Sequence, residues 1–368
     1  MAPAVLWAQL IDKKATQEAQ ALYSNLKRIS TQGFLFGHQD TDAYGVGWRH
    51  QEARSDVKEV CGSYPAVHGW DVGKSLANPM NIDSVSFDKM LGWIKQTYLR
   101  GGVNTVSWHV DNPVTKKDAW DKTPAVKDIL PGGKAHAELL RQLDLLAGFL
   151  GKCKSGSTYI PIIFRPWHEH NGDWFWWGKG NCTENEYVRL WRFTIEYLRD
   201  KKQLHHLIYA WSPDRSRTDL SNFRTSYLYA YPGDGYVDVL GLDNYMDVGA
   251  RWNKRTLEEQ QRDFAESLKG VSTIASEKAK LAAMTETGME GISNAEWFSK
   301  AVLKPIKEND IKIAYLLVWR NANKTHHYAP YKGHSSEKDF IIFYNDKRTL
   351  FEDDVQNLYQ SNKPLTRK

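Results

Sequence analysis

The chain has 368 residues and a hydrophobic content of 41%, a size that suits one α/β barrel with long loops. Its formal net charge of +5 comes from 49 basic and 44 acidic side chains. These charges are interspersed, so the sequence lacks the basic stripe of nucleic-acid-binding proteins. No apolar run approaches the roughly 18 residues of a membrane-spanning helix, so we expect no membrane span.

The first seven residues, 1–7, are too few and not basic enough for a signal peptide. This leaves open a cytosolic protein or a secreted one whose leader has been removed. Cys61, Cys153 and Cys182 form a sparse, odd-numbered set without a C-x-x-C motif, so no zinc framework is visible. A disulfide between Cys153 and Cys182 is allowed in an oxidising compartment, but the sequence alone does not establish it.

From residue 34 onward, short apolar runs alternate with stretches of helical periodicity. The predicted strands are Phe34–Phe36, Tyr64–Trp70, Asn104–Trp108, Ile160–Phe164, Leu207–Trp211, Val237–Leu242, Leu281–Thr285 and Ile313–Trp319. The predicted helices are Thr16–Leu26, Phe87–Leu99, His136–Cys153, Tyr187–Lys201, Thr256–Lys269, Ala295–Lys307 and Phe351–Tyr359. Eight parallel strands with intervening helices predict a single (β/α)8 TIM barrel, because the right-handed crossover rule leaves few alternatives.

No linker or internal repeat divides the sequence, so we expect one domain over residues 1–368. Residues 1–32 would form an N-terminal segment whose helix plugs the bottom of the barrel, and the barrel itself would span about 33–362. Thr183 and Glu186 have the spacing of a capping box at the start of the fourth helix. The loops Val72–Val85 and Ala322–Phe340 are long for this fold.

Polar and aromatic residues follow every predicted strand, and the active sites of TIM barrels lie at that face. The groups at the strand ends are His38–Asp40, His68–Asp71, Trp108–Asp111, Arg165–His170, Trp211–Asp214, Asp243–Tyr245, Glu286 and Trp319–Asn321. The sequence therefore predicts an active-site cleft at the C-terminal ends of the strands.

Two glutamates, Glu169 and Glu286, directly follow strands four and seven, on roughly opposite sides of the barrel. Retaining glycoside hydrolysis needs two such carboxylates about 5–5.5 Å apart, one as nucleophile and one as acid/base. Four tryptophans stand near Glu169, and an apolar setting raises the pKa of a carboxyl group, which suits the acid/base. Glu290 lies past the end of its strand and is not expected to take part. Asp71, Asp111, Asp214 and Asp243 are expected to orient hydroxyls or neighbouring side chains.

Several segments, in chain order, resemble glycoside hydrolase family 26, whose members are chiefly β-1,4-mannanases. They are Phe36–Asp40, Ser107–His109, Arg165–Gly178, Thr285–Glu286 and Val318–Asn321. The resemblance runs from about residue 33 to the last strand, and its strand-4 segment RPWHEHNGDWFWWG is highly specific. One departure is His170, where many relatives carry Met; we expect it to alter the wall near the acid/base.

The resemblance implies a metal-free retaining hydrolase without cofactors that acts on β-mannan polysaccharides and manno-oligosaccharides. By motif, Glu169 is similar to the family's acid/base and Glu286 to its nucleophile. The substrate-binding residues implied in the same way share an aromatic or polar side chain at the rim. His168 and Tyr245 resemble residues that lie near the nucleophile, and Trp174 and Trp319 resemble residues that form aromatic walls. His109 and Arg320 resemble polar residues that contact the sugar on the glycone side. Trp120 resembles a further aromatic residue on that side.

Four other interpretations stay open at this point. The His168–Glu169–His170 triplet and His38 also fit a metal-dependent barrel hydrolase, although strand 1 lacks a His-x-His pair. A barrel that only binds polysaccharide would have lost one of the two glutamates, and both are present. Within the same scaffold, the two long loops are compatible with an exo-acting enzyme that releases mannobiose, and a β-glucanase or xylanase is an alternative. We expect a monomer that is secreted or periplasmic, because mannan is met outside the cytoplasm.

Overall fold

A computed structural model describes residues 9–361, so residues 1–8 of the predicted N-terminal segment and residue 362 at the predicted barrel end lie outside the described residues. Eight parallel strands form a closed barrel in chain order, because β8 pairs with β1 as well as with β7. The strands are β1 Phe34–Gln39, β2 Val67–Asp71, β3 Val103–Ser107, β4 Ile162–Arg165, β5 Leu207–Trp211, β6 Val239–Asn244, β7 Leu281–Thr287 and β8 Tyr315–Val318. All eight predicted strands and the (β/α)8 fold are confirmed, with strand ends displaced by at most three residues.

The helices surround the barrel. They are α1 Gln17–Ile29, α2 Asp56–Cys61, α3 Phe87–Arg100, α4 Val126–Ile129, α5 His136–Leu150, α6 Glu184–Glu196, α7 Phe223–Tyr227, α8 Leu257–Glu277, α9 Lys304–Glu308 and α10 Glu337–Tyr344. A π-helical turn at Tyr197–Lys201 extends α6, and another at Trp297–Leu303 precedes α9. The predicted capping box opens α6, where the backbone N–H of Glu186 donates to Thr183 and the Glu186 carboxylate accepts from the N–H of Thr183.

The opening helix α1 closes the N-terminal end of the barrel, as predicted. Its apolar face packs on barrel-interior side chains that come from several strands. The hydroxyl of Tyr23 on α1 also donates to the carbonyl of Asp238, just before β6, at 3.1 Å. This end of the barrel is therefore filled by apolar side chains, and the polar strand ends lie at the opposite face.

The predicted helix Phe351–Tyr359 is wrong, and the last helix, α10, lies partly within the segment that we expected to be a loop. A ninth strand, β9 Thr349–Leu350, pairs with β1, and only one 3-10 turn, Glu352–Asp354, follows it. Glu352 accepts from Arg100 at 2.6 Å and lies 3.1 Å from His68. These long-range contacts hold the segment against the barrel and override its local helical pattern. Within residues 9–361, no helix is both long enough and apolar enough to cross a membrane.

Candidate active site

Glu286 lies in β7 and is held by two donors from neighbouring strands. The Tyr245 hydroxyl, after β6, donates to Oε1 of Glu286 at 2.7 Å, and Nη2 of Arg165 at the end of β4 donates to Oε2. The Glu286 residue as a whole is only 6% exposed. Both oxygens of this carboxylate are therefore oriented, and a buried guanidinium partly neutralises its charge.

Arg165 connects Glu286 to Asp243, the residue paired with it across β6 and β7. Nη1 of Arg165 donates to Oδ2 of Asp243 at 2.6 Å, and the Thr285 hydroxyl donates to Oδ1 at 2.6 Å. Burial, opposed by the charge of Arg165 and reinforced by that of Glu286, raises the pKa of Asp243 to about 8. The sequence alone predicts no role for Arg165. Its position as the last residue of a buried strand was the available signal.

Glu169 lies in the loop after β4, in a left-handed conformation with φ 53°. A positive φ is uncommon for a residue with a side chain and is stabilised here by surrounding contacts. Its backbone N–H donates to the carbonyl of Ser212 at 2.8 Å, and the indole N–H of Trp174 donates to Oε2 at 2.6 Å. This geometry fixes both the backbone and the carboxyl group of Glu169.

The electrostatic surroundings of Glu169 differ from those of Glu286. Burial, and then the negative charges of Asp214, Asp243 and Glu286, raise the pKa of Glu169 well above its usual range. Only the hydrogen bond from Trp174 acts in the opposite direction among the main contributions. A carboxyl group in this position holds its proton at neutral pH, as a general acid requires.

Of the four tryptophans in the strand-4 motif, Trp174 alone hydrogen-bonds the Glu169 carboxyl group. Trp167, Trp176 and Trp177 are fully buried. Their indole N–H groups donate to the hydroxyl of Thr194 and to the carbonyls of Val110 and His168, at 2.9–3.1 Å. These three rings support the loop that carries Glu169 and do not line the cleft.

Three other predicted substrate-binding residues, Trp120, Trp319 and His168, lie beside His109. Trp120 stacks on the imidazole with ring centroids 5.4 Å apart and an interplanar angle of 12°, and it is 46% exposed. The ring of Trp319 lies 6.3 Å from that of His109. Nε2 of His168 lies 3.0 Å from Nε2 of His109, so this nitrogen faces a second histidine and not a carboxylate.

Arg320 extends the same region of the rim. Its Nη2 lies 3.0 Å from Oδ1 of Asp83, which belongs to the long loop after β2. Glu290 lies apart from the two central glutamates in a half-exposed ion pair with His326, at 2.7 Å. His170 does not contribute to the wall near Glu169, contrary to our expectation. Its ring is 1% exposed and packs on Tyr187 at 4.2 Å between centroids.

Metal-ligating residues do not cluster in the described part of the chain. Among residues 9–361, no three His, Cys, Asp or Glu side chains form a group that could hold a metal ion. Cys61, Cys153 and Cys182 are all free. The thiols of Cys153 and Cys182 instead donate to the carbonyls of Phe149 and Trp177. The disulfide allowed by the sequence is therefore not formed in this structure.

Comparison with known proteins identifies the family of the chain. The family model of glycosyl hydrolase family 26 matches residues 11–346. A mannan endo-1,4-beta-mannosidase of Bifidobacterium adolescentis is 34% identical over 96% of this chain, which spans about a third (36%) of the length of that relative. A mannan endo-1,4-beta-mannosidase of Bacillus subtilis is 28% identical, with 82% of this chain and 76% of the relative covered.

Solved structures show the same likeness. The family 26 β-mannanase BoMan26A of Bacteroides ovatus superimposes with a TM-score of 0.87 and 39% identity, covering 94% of this chain and 98% of that chain. A modular endo-β-1,4-mannanase of Cellulomonas fimi has a TM-score of 0.86 and 36% identity, covering 95% of this chain and 79% of that chain. The chain belongs to glycosyl hydrolase family 26, the family that its strand-4 motif indicates.

Proposed function

We propose that the chain hydrolyses β-1,4-mannosidic bonds in mannan, galactomannan or glucomannan with retention of configuration. Glu286 is the nucleophile and Glu169 the acid/base. The observation that carries this proposal is the contrast between the two carboxyl groups. Glu286 is oriented by Arg165 and Tyr245, whereas burial and three nearby carboxylates keep Glu169 protonated. Two titratable groups whose surroundings separate them in this way are the signature of an acid and its partner.

In the first step, Glu286 attacks the anomeric carbon while Glu169 protonates the departing glycosidic oxygen. A covalent glycosyl-enzyme forms, and the shorter product leaves. Glu169, now a carboxylate, then takes a proton from water, which attacks the same carbon and releases Glu286. During attack, negative charge leaves Glu286, so Arg165 and Tyr245 serve mainly to position its oxygens before reaction.

Mannan specificity is supported by the rim residues and by the relatives. Flat aromatic faces such as those of Trp174, Trp120 and Trp319 suit the C–H faces of sugar rings. His109 and Arg320 supply polar groups beside them. Mannose differs from glucose in its axial 2-hydroxyl, and discrimination on one hydroxyl is strong when buried polar groups would otherwise stay unpaired. Several similar proteins are themselves named mannan endo-1,4-beta-mannosidases.

The catalytic assignment is tested by comparing Glu169→Ala and Glu286→Ala on mannan and on an aryl β-mannoside with a good leaving group. Both variants should lose at least about 100-fold on mannan. The aryl substrate should partly restore Glu169→Ala, because a good leaving group needs less protonation, but not Glu286→Ala. Glu290→Ala is the matched control, since this glutamate lies in the loop that follows β7 and pairs with His326 at the rim. Normal turnover by either central variant would refute the assignment.

An exo-acting enzyme that releases mannobiose is a second candidate, and one contact favours it. The ion pair of Asp83 with Arg320 joins the long loops after β2 and β8, and Arg49 donates to the carbonyl of Asp83 at 2.8 Å. A bridged rim of this kind would close the distal glycone end of the cleft. The lengths of the first products released from mannohexaose labelled at the reducing end distinguish exo from endo action. Mannobiose alone indicates release from a chain end, and a mixture of lengths indicates internal cleavage.

Parallel assays on cellulose and xylan test the β-glucanase and xylanase alternatives.

We further propose that residues 1–368 act as one monomeric catalytic domain in mannan degradation and that it works in a secreted or periplasmic setting. The support is the nature of the substrate, a polymer found outside the cytoplasm. Size-exclusion chromatography with light scattering tests the oligomeric state, and fractionation of the source cells tests the compartment.

A further inference from the structure

A chain of hydrogen bonds begins at Asp71, at the end of β2, and ends at His168. The Asp71 side chain is fully buried and accepts from the N–H of Gly73 and the hydroxyl of Ser107, both at 2.6 Å. Its Oδ2 also lies 2.7 Å from Nδ1 of His109, whose Nε2 lies 3.0 Å from Nε2 of His168. Nδ1 of His168 is buried and has no hydrogen-bond partner in the described part of the chain.

Burial fixes the charges along this chain. A buried carboxylate needs a compensating cation, and among residues 9–361 the ion-pair partner of Asp71 is His109. Burial acts to lower the pKa of His109, but the charge and hydrogen bond of Asp71 outweigh it and raise this pKa above the usual range. His168 is neutral, because burial and the nearby charges of Arg165 and His109 hold its pKa well below the usual range.

The charges in turn fix where the protons lie. An imidazolium carries hydrogen on both nitrogens, so His109 donates from Nδ1 to Asp71 and from Nε2 to His168. The Nε2 atom of His168 then accepts, which places the single proton of this neutral ring on Nδ1. The Nδ1–H group is therefore a buried donor that no protein group uses in the described structure.

We propose that Asp71 is a positioning residue that acts through His109 to keep His168 neutral with its proton on Nδ1. The other charged groups around the two rings are Arg165 on β4, Glu286 on β7 and Asp83 at the rim. None of these forms an ion pair with His109 in the described structure, so the charge of Asp71 dominates.

The Asp71→Asn substitution separates charge from shape. The amide oxygen of Asn still accepts from Nδ1 of His109. Without the carboxylate charge that stabilises the imidazolium, however, the His109 ring becomes neutral near pH 7. Its Nε2 lone pair would then face the Nε2 lone pair of His168. That contact is relieved when the proton of His168 moves from Nδ1 to Nε2, and the buried donor is lost.

The direct test is ¹⁵N NMR of enzyme labelled at histidine, with the two signals assigned from the His109→Gln and His168→Gln proteins. In the wild type we expect a doubly protonated His109 and an Nδ1–H tautomer of His168. In Asp71→Asn we expect a neutral His109 and an Nε2–H tautomer of His168. An Nε2–H tautomer in the wild type, or no change in the variant, would overturn the proposal. If Asp71→Asn does not fold, the wild-type spectrum alone decides.

The second readout is activity, and it rests on the proposed function. For Asp71→Asn, kcat/KM on mannan should fall roughly 10- to 100-fold at neutral pH, the factor expected for one hydrogen bond that involves a charged group. The loss should shrink from about pH 8 to about pH 5, as His109 regains its second proton. A loss equal at every pH, with wild-type proton positions, would mark Asp71 as purely structural.

The matched control is Asp12→Asn, because Oδ2 of Asp12 also lies 2.7 Å from a histidine Nδ1, that of His205, at the opposite end of the barrel. This variant should keep the wild-type pH profile and the wild-type signals of His109 and His168. An enzyme that shows the expected proton positions but does not cleave mannan would refute the proposed function while the role of Asp71 stands.

Discussion

Replacing Arg165 by Met removes the cation between Asp243 and Glu286 while keeping a side chain of similar length. The three side chains are 4, 0 and 8% exposed, so solvent does not take over the role of the guanidinium. Breaking a buried ion pair by removing one partner costs about 3–5 kcal/mol, because the remaining charge is left uncompensated. Here the carboxylate left without its cation is chiefly Glu286, because the raised pKa of Asp243, about 8, lets that group hold its proton near neutral pH.

This cost converts into a measurable change in Tm. Unfolding entropy near 60 °C is about 2.1 cal/mol/K per residue, which for a chain of 368 residues is about 0.8 kcal/mol per kelvin. A loss of about 3–5 kcal/mol therefore lowers Tm by about 4–6 °C. Activity should fall at least about 100-fold as well, since the nucleophile loses one of its two orienting donors.

The loss of stability in Arg165→Met should also depend on pH. Burial already raises the pKa of Asp243 to about 8 against the opposing charge of Arg165, and removing that charge raises it further. Above the pKa of an unfolded carboxyl group, about 4, the folded variant then binds more protons than the unfolded chain, and its stability falls as pH rises. The wild type shares this dependence up to the pKa of Asp243, about 8, so the Tm difference between the two proteins should be larger at about pH 9.5 than at about pH 7.

Circular dichroism melts of both proteins at the two pH values test this reasoning. Arg217→Met is the matched control, because its pair with Asp173 is half exposed, at 51 and 54%, and such pairs contribute less than about 1 kcal/mol. Adding Asp243→Asn to Arg165→Met should restore part of the stability by removing one of the two facing carboxylates, but not the activity. A Tm for Arg165→Met that matches the control, or a deficit independent of pH, would refute the reasoning.

Three further outcomes are expected. Thr183→Ala should cost about 1 kcal/mol of stability through the lost N-cap of α6, whereas Thr183→Ser should cost much less; equal melting of the two variants would contradict this. Mannan hydrolysis should survive dialysis against EDTA, because the proposed steps need no Lewis acid; inactivation reversed by zinc or manganese would point to metal-dependent chemistry. Arg320→Ala should reduce cleavage of mannan at least about tenfold and more than cleavage of any weaker substrate, and an equal loss on both would mark Arg320 as a support of the rim.

The barrel could be predicted because its signals are local. Most strands contain a short apolar run, and chain order alone specifies the neighbours in a closed parallel barrel. The same logic located Glu169, four residues beyond the end of β4, and Glu286, near the end of β7. It also located the rim side chains His109, Trp319 and Arg320, because the C-terminal ends of all strands share one face.

Features set by distant contacts could not be predicted in this way. Residues 351–359 have apolar spacing that favours a helix, yet Phe351 packs 5.0 Å from the ring of Phe36 and Glu352 pairs with Arg100. Helical propensity is a weak prior that tertiary contacts of this kind override. The tryptophans near Glu169 illustrate the same limit, because composition does not say which rings face the cleft and which lie beneath it.

Arg165 lay within the recognised motif, but its importance depends on side chains from three strands. Its two η nitrogens reach Asp243 on β6 and Glu286 on β7, while Glu169, four residues further along its own chain, has carboxylates as its main charged neighbours. The two glutamates of the proposed mechanism are the same residue type, both at the C-terminal side of the barrel. In that mechanism, the placement of one guanidinium separates the group that attacks from the group that holds a proton. The sequence predicts that Arg165 lies at the end of its strand. Which carboxylates it contacts depends on how the strands pack in the barrel.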